Sequence, residues 1–153
     1  MERLKFSNVD VVFQEVPDEV SLAINITGCP HRCKGCHSPY LCDYFGELLL
    51  DNLISLVSRY EGLITCVCFM GGDQNLDELK DALKTVKDMG LKTCLYSGED
   101  NVNVFFHLLP LLDYLKVGRY VESLGGLSCK STNQRFYKVG ENLIDITERF
   151  YTH

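Results

Sequence analysis

The spacing of hydrophobic positions changes along this chain, and the changes mark its elements. Residues 9–16 form an extended run that Pro17-Asp18 ends as a turn. Over residues 20–27, Leu22, Ile24 and Ile26 alternate with Ala23, Asn25 and Thr27, the period of two that predicts a strand. The period lengthens over residues 47–60, where Leu49, Leu53, Leu56 and Val57 fall on one helical face. Residues 63–70 are a short, continuous apolar run, as a buried strand should be. Helical spacing returns over residues 76–89 through Leu79, Leu83 and Val86. Asn75 or Asp73 is placed to cap that helix, and Gly90 to stop it. Residues 91–96 predict another strand, residues 103–109 a short helix ahead of Pro110, and residues 114–117 a strand ending at Gly118. Residues 136–146 have room for one or two more strands, whereas residues 28–44 are too rich in Cys, Gly and Pro for regular structure.

Strands alternating with helices over short connections imply parallel pairing and an α/β fold. Four or five such units fall short of an eight-stranded barrel, which takes about 250 residues. The expectation is a partial (β/α) barrel or an open curved, mostly parallel sheet, in one domain over residues 1–153. In either architecture chemistry gathers at the carboxyl ends of the strands. Here those ends lead into residues 28–40, 71–73, 97–99 and 118–120.

Composition narrows the function classes. A chain of 153 residues with 46% hydrophobic and 24% charged residues is an ordinary globule, not a disordered or fibrous one. With 15 basic and 21 acidic residues the net charge is −6, which disfavours a nucleic-acid binder working through a broadly basic surface. The run at residues 63–70 is far too short to span a membrane, and the first six residues hold no apolar signal core. The expectation is a cytoplasmic protein that engages neither nucleic acid nor membrane. Eight cysteines then stand out, because a reducing compartment favours metal or redox chemistry over structural disulfides.

The strongest local signal is Gly28-Cys29-Pro30-His31-Arg32-Cys33-Lys34-Gly35-Cys36-His37, with thiols spaced C-x3-C-x2-C directly after a predicted strand. Residues four apart reach roughly 13 Å when extended, ample to wrap a metal cluster. Gly28 and Gly35 permit tight turns, Pro30 blocks strand continuation, and Arg32 and Lys34 favour thiolates. Closed iron–sulfur sites usually take four cysteines, so three would leave one iron open to a non-protein ligand. Zinc is a competing reading, with Cys42 or His37 as fourth ligand, and Cys33-Lys34-Gly35-Cys36 could instead be a redox dithiol.

The C-x3-C-x2-C spacing resembles the cluster motif of the radical S-adenosylmethionine (SAM) superfamily. The longer string from Thr27 to Pro39 is closely similar to the activating-protein family of anaerobic ribonucleoside-triphosphate reductase. Phe69-Met70-Gly71-Gly72-Asp73 resembles that family's glycine-rich SAM-binding motif. Leu124-Gly125-Gly126-Leu127 and Ser131-Thr132-Asn133-Gln134-Arg135 resemble its C-terminal signature. The resemblance implies a [4Fe–4S] cluster on Cys29, Cys33 and Cys36, with SAM chelating the fourth iron. It implies reductive cleavage of SAM and a glycyl radical raised on the partner reductase, with an electron donor such as flavodoxin or ferredoxin. Activation of another glycyl-radical enzyme is the near alternative, and a non-catalytic zinc-binding interaction module is the alternative of a different class.

The resemblance also implies the SAM contacts. Gly71 and Gly72 would admit close backbone approach, and Asp73 would accept from the SAM amino group. Asp73 is one methylene shorter than the family's common Glu. Gly35 and His37 would lie near adenine, and Ser97 and Lys116 would be within reach of the ribose or carboxylate. Positions 116 and 117 lack the acidic residue that several relatives carry. Cys66 and Cys68, two apart on a strand, share a face and are expected with Cys94 in the core. Cys42 and Cys129 are spaced too irregularly to suggest a second cluster, and residues 132–135 are read as facing a partner.

Overall fold

Short-range pattern becomes a mixed α/β fold in the computed structural model, which describes residues 3–29 and 43–151. Among these residues the chain forms eight strands and two α-helices. The strands are β1 (Lys5–Val12), β2 (Ser21–Ile26), β3 (Glu47–Leu48), β4 (Cys66–Met70), β5 (Lys92–Tyr96), β6 (Tyr114–Val117), β7 (Arg135–Val139) and β8 (Leu143–Asp145). The helices are α1 (Leu49–Ser58) and α2 (Leu76–Asp88). All the strands join one sheet in the order β3-β1-β2-β4-β5-β6-β7-β8.

The four central strands β2, β4, β5 and β6 run parallel, as the strand–helix alternation requires. The flanks do not: β1 pairs antiparallel with β2 and β3, and β6–β7 and β7–β8 are antiparallel. The sheet is therefore partly parallel rather than mostly so. A parallel return needs a crossover of a dozen or more residues, and neither the turn at residues 13–20 nor the one at residues 140–142 is long enough. Glu47 and Leu48, expected to open a helix, are drawn into an edge strand opposite Phe6 and Lys5. The expected short helix at residues 103–109 is two 3₁₀ turns, Val102–Phe105 and Leu109–Leu111, the second holding Pro110.

Both helices cover one face of the sheet. Leu22, Ile24, Ile26, Val67, Phe69, Leu95, Leu115 and Val117 meet Leu49, Leu53, Leu56 and Val57 of α1 and Leu79, Leu83 and Val86 of α2. Burying each such side chain contributes about 1.5–3 kcal/mol, so this interface dominates the fold's stability. Asn75 caps α2 by accepting from the Glu78 amide at 3.1 Å, and Glu78 in turn accepts from Arg3 and the Leu4 amide.

The alternate residues point to the opposite face, where no α-helix packs among the described residues. Cys66, Cys68, Cys94, Tyr114 and Phe136 form a second core there with Val16, and Ile146 and Phe150 pack on it. Phe136 is its centre, with ring centroids 5.9 Å from Tyr96, 5.9 Å from Tyr114 and 4.9 Å from Phe150. The β1–β2 turn and the C-terminal 3₁₀ turn Thr147–Phe150 meet above this face through paired Arg149–Asp18 hydrogen bonds of 2.7 and 2.9 Å. Glu19 reaches under the turn to Lys92 Nζ at 2.9 Å and accepts from the Tyr114 hydroxyl at 3.0 Å. Cys66, Cys68 and Cys94 are fully buried, as the strand periodicity predicts.

Candidate functional site

Register aligns the carboxyl ends of the parallel strands. Asn25, Met70, Tyr96 and Lys116 are successive partners across β2, β4, β5 and β6. Directly beyond them the chain leaves the sheet as Thr27-Gly28-Cys29, Gly71-Gly72-Asp73, Ser97 and Gly118. The expected site segments thus share one edge.

The cysteine-bearing segment has a rigid root. Thr27 donates its amide to the Lys5 carbonyl at 2.9 Å, and its hydroxyl donates to the Phe45 carbonyl at 2.6 Å. Gly28 donates to the Asp43 carbonyl at 2.9 Å, so the departing and returning chain are tied together. Gly28 has φ +76°, and a Cβ there would meet the Tyr44 ring at 3.3 Å, which explains the glycine. Cys29 is half-buried at the start of this excursion. Cys33, Cys36, Gly35, His37 and Cys42 lie outside the described residues. Among the described residues no group of three or more His, Cys, Asp or Glu side chains is arranged to hold a metal ion.

Beyond β4, Gly71 and Gly72 both adopt positive φ, +110° and +114°. The Gly71 amide bonds the Tyr96 carbonyl at 3.0 Å, and the Gly72 carbonyl accepts from the Asn75 amide at 3.2 Å. A Cβ on Gly72 would come within 3.2 Å of Leu79, so the turn sits tight against α2. This conformation brings the Asp73 carboxylate to Ser97, whose hydroxyl donates to Asp73 Oδ2. Ser97 is 2% exposed, and its hydroxyl also accepts from the Glu99 amide at 2.9 Å. Asp73 does not cap α2; Asn75 does.

Lys116 is 8% exposed and turns its ammonium back along the sheet edge. It donates to the Ser97 carbonyl at 3.1 Å and the Gly118 carbonyl at 2.7 Å, clasping the ends of β5 and β6. Much of its hydrogen-bonding capacity is thereby committed to backbone. In residues 124–135, Thr132 and Gln134 are buried rather than displayed to a partner. Thr132 donates to the Gly125 carbonyl at 3.0 Å, and Gln134 donates its side-chain amide to the Gly118 carbonyl at 3.2 Å. This segment braces the edge from beside β6.

The structure thus joins Asp73 to Ser97, and Ser97 through its carbonyl to Lys116. One contributor escaped sequence reasoning: Gln74 donates from Nε2 to the Thr27 carbonyl at 2.7 Å, linking the glycine turn to the cysteine segment. Its only sequence signal is adjacency to Asp73.

The arrangement defines a mixed α/β protein with a polar site at the carboxyl ends of a parallel strand quartet. Comparison with family models, with curated proteins and with solved structures finds no match to this chain.

Proposed function

We propose that this protein is a radical SAM activase that cleaves SAM reductively at a [4Fe–4S] cluster and raises a glycyl radical on anaerobic ribonucleoside-triphosphate reductase. The observation that carries the reading is the Cys29, Cys33, Cys36 spacing on a segment leaving β2 beside the Gly71-Gly72-Asp73 turn. The donor set suits both groups. Three thiols match a cluster with one open iron, and paired positive-φ glycines with an adjacent carboxylate suit the amino-acid end of SAM.

When bound, the cluster supplies the electron that splits the sulfonium carbon–sulfur bond. The chain's own contribution is placement. Asp73 accepts from the ammonium, and Ser97, bonded to Oδ2, holds that carboxylate in one orientation. Gly71 and Gly72 supply the positive φ of the turn and its close packing on Ile26 and Leu79, and so set where Asp73 is presented. Met70 and Tyr96 supply an apolar floor from the second core and limit water from below. Lys116 keeps the ends of β5 and β6 together under the site. Gly35 and His37 take the adenine side in this reading.

The partner is a glycyl-radical subunit because a single open sheet cannot enclose a radical, whereas a docked glycine loop can cover it. A reduced flavodoxin or ferredoxin supplies the electron. The test is anaerobic reconstitution followed by incubation with SAM, reductant and the reductase. Brown protein with about four irons per chain and a glycine-centred paramagnetic signal is expected. SAM cleavage without that signal points to another glycyl-radical enzyme. Colourless protein with one tight zinc refutes the catalytic reading in favour of an interaction module.

A further inference from the structure

Thr27 directly follows β2, and its polar groups are committed to three other segments. It is fully buried, at 0% exposure. Its amide donates to the Lys5 carbonyl of β1 at 2.9 Å, and its carbonyl accepts from Gln74 Nε2, beside the glycine turn, at 2.7 Å. Its hydroxyl both donates to the Phe45 carbonyl at 2.6 Å and accepts from the Phe45 amide at 3.2 Å. The first strand, the chain returning at residues 43–45 and the turn after β4 thus converge on a single residue.

The hydroxyl is what sets this residue apart from an ordinary strand end. One oxygen supplies both a donor and an acceptor, and here both are spent on the backbone of Phe45. The Gly28 amide bond to the Asp43 carbonyl at 2.9 Å is the next rung, so two rungs hold the departing and returning stems together. Tyr44 braces the returning stem: its hydroxyl donates to the Arg3 carbonyl at 2.6 Å, and Lys5 Nζ lies 4.5 Å from its ring centroid. Cys33 and Cys36 fall between these stems in the sequence. Resting on the function proposed above, we propose that Thr27 is a positioning residue that sets the cluster-bearing segment against the SAM-binding turn. Its hydroxyl fixes the two stems through Phe45. Its carbonyl, through Gln74, fixes those stems against the turn that carries Asp73.

Thr27→Val keeps the side chain's shape and removes the hydroxyl; Thr27→Ser keeps the hydroxyl. Tyr114→Phe removes a hydroxyl from the Glu19 tie and controls for stability lost elsewhere. Each full-length protein is reconstituted anaerobically, and its iron content and thermal melt are recorded. The electron paramagnetic resonance spectrum of the reduced cluster is then titrated with SAM, each sample frozen before cleavage proceeds. In Thr27→Val the SAM concentration giving half of the spectral change is expected to rise about fivefold or more, the effect of one net hydrogen bond. Thr27→Ser is expected to stay within about twofold of wild type because the hydroxyl remains, and Tyr114→Phe to match wild type. An unchanged titration in Thr27→Val, no rescue in Thr27→Ser, or an equal shift in Tyr114→Phe overturns the proposal. Should Thr27→Val not fold, Gln74→Met removes the bond to the Thr27 carbonyl instead, and an unchanged titration there overturns it. Wild-type protein that takes up no iron, or whose spectrum SAM leaves unchanged, overturns the activase reading itself, and this inference with it.

Discussion

Ser97→Ala is the sharpest probe of the site, because the hydroxyl is buried and has two identified partners. It donates to Asp73 Oδ2 and accepts from the Glu99 amide at 2.9 Å. At 2% exposure, little water can replace it. Losing a hydrogen bond to a charged group costs about 1.5–3 kcal/mol, and stranding a half-buried amide adds about 1. The expected destabilisation is roughly 2–4 kcal/mol, with partial solvation of Glu99 at the lower end. For a chain of this size about 3 kcal/mol lowers Tm by roughly 6–12 °C. Urea unfolding followed by circular dichroism should show the midpoint fall with an unchanged slope. The Asp73→Asn and Ser97→Ala double-mutant cycle then isolates the pair, and a coupling above about 1 kcal/mol is expected. Additive effects, or a Ser97→Ala loss below about 0.5 kcal/mol, within the range of an ordinary surface change, would refute the idea that Ser97 orients Asp73.

Cys33→Ala should abolish iron loading while Cys68→Ala leaves it intact, because Cys68 lies within the second core; an iron assay after reconstitution decides, and loss of iron in Cys68→Ala overturns that core assignment. Phe136→Ala removes the aromatic centre of the same core and should cost about 3–5 kcal/mol in a thermal melt. Acid should weaken the tie under the β1–β2 turn. Burial by itself would raise the Glu19 carboxyl, but hydrogen bonds from Lys92, Thr65 and Tyr114 outweigh it and hold the group below its ordinary 4.5. Its stabilisation is therefore complete above pH 4.5 and lost as pH falls through the lower folded value. Glu19→Gln should flatten that part of the stability–pH curve, and an unchanged acid limb would show that Glu19 is not its source.

Periodicity alone determined much of the scaffold. The alternation of Leu22, Ile24 and Ile26, and the helical stripe of Leu79, Leu83 and Val86, each specify an element because local backbone geometry sets which residues share a face. The same rule placed Cys66 and Cys68 together in the core. The site segments were legible because they follow predicted strands whose parallel order puts their ends at one edge. The β1–β2 pair was legible only in part: the sequence offered extended runs at residues 9–16 and 20–27 about Pro17-Asp18, whereas β1 spans Lys5–Val12 and its antiparallel pairing emerged only in the structure.

Side-chain partnerships were decided only by tertiary structure. Asp73 and Ser97 are 24 residues apart, and Gln74 and the Thr27 carbonyl are 47 apart. No pattern along the chain joins such pairs, because each depends on the final register of strands and on the φ that Gly71 and Gly72 adopt between them. Lys116 shows the same limit: its sequence position allowed a ligand contact, while packing turned its ammonium toward two backbone carbonyls. Glu47 and Leu48 became strand rather than helix for a like reason, since pairing with β1 satisfies backbone groups that helix propensity alone does not weigh. Local sequence sets which element a segment can form; the closure of distant segments on one another sets what each polar atom finally touches.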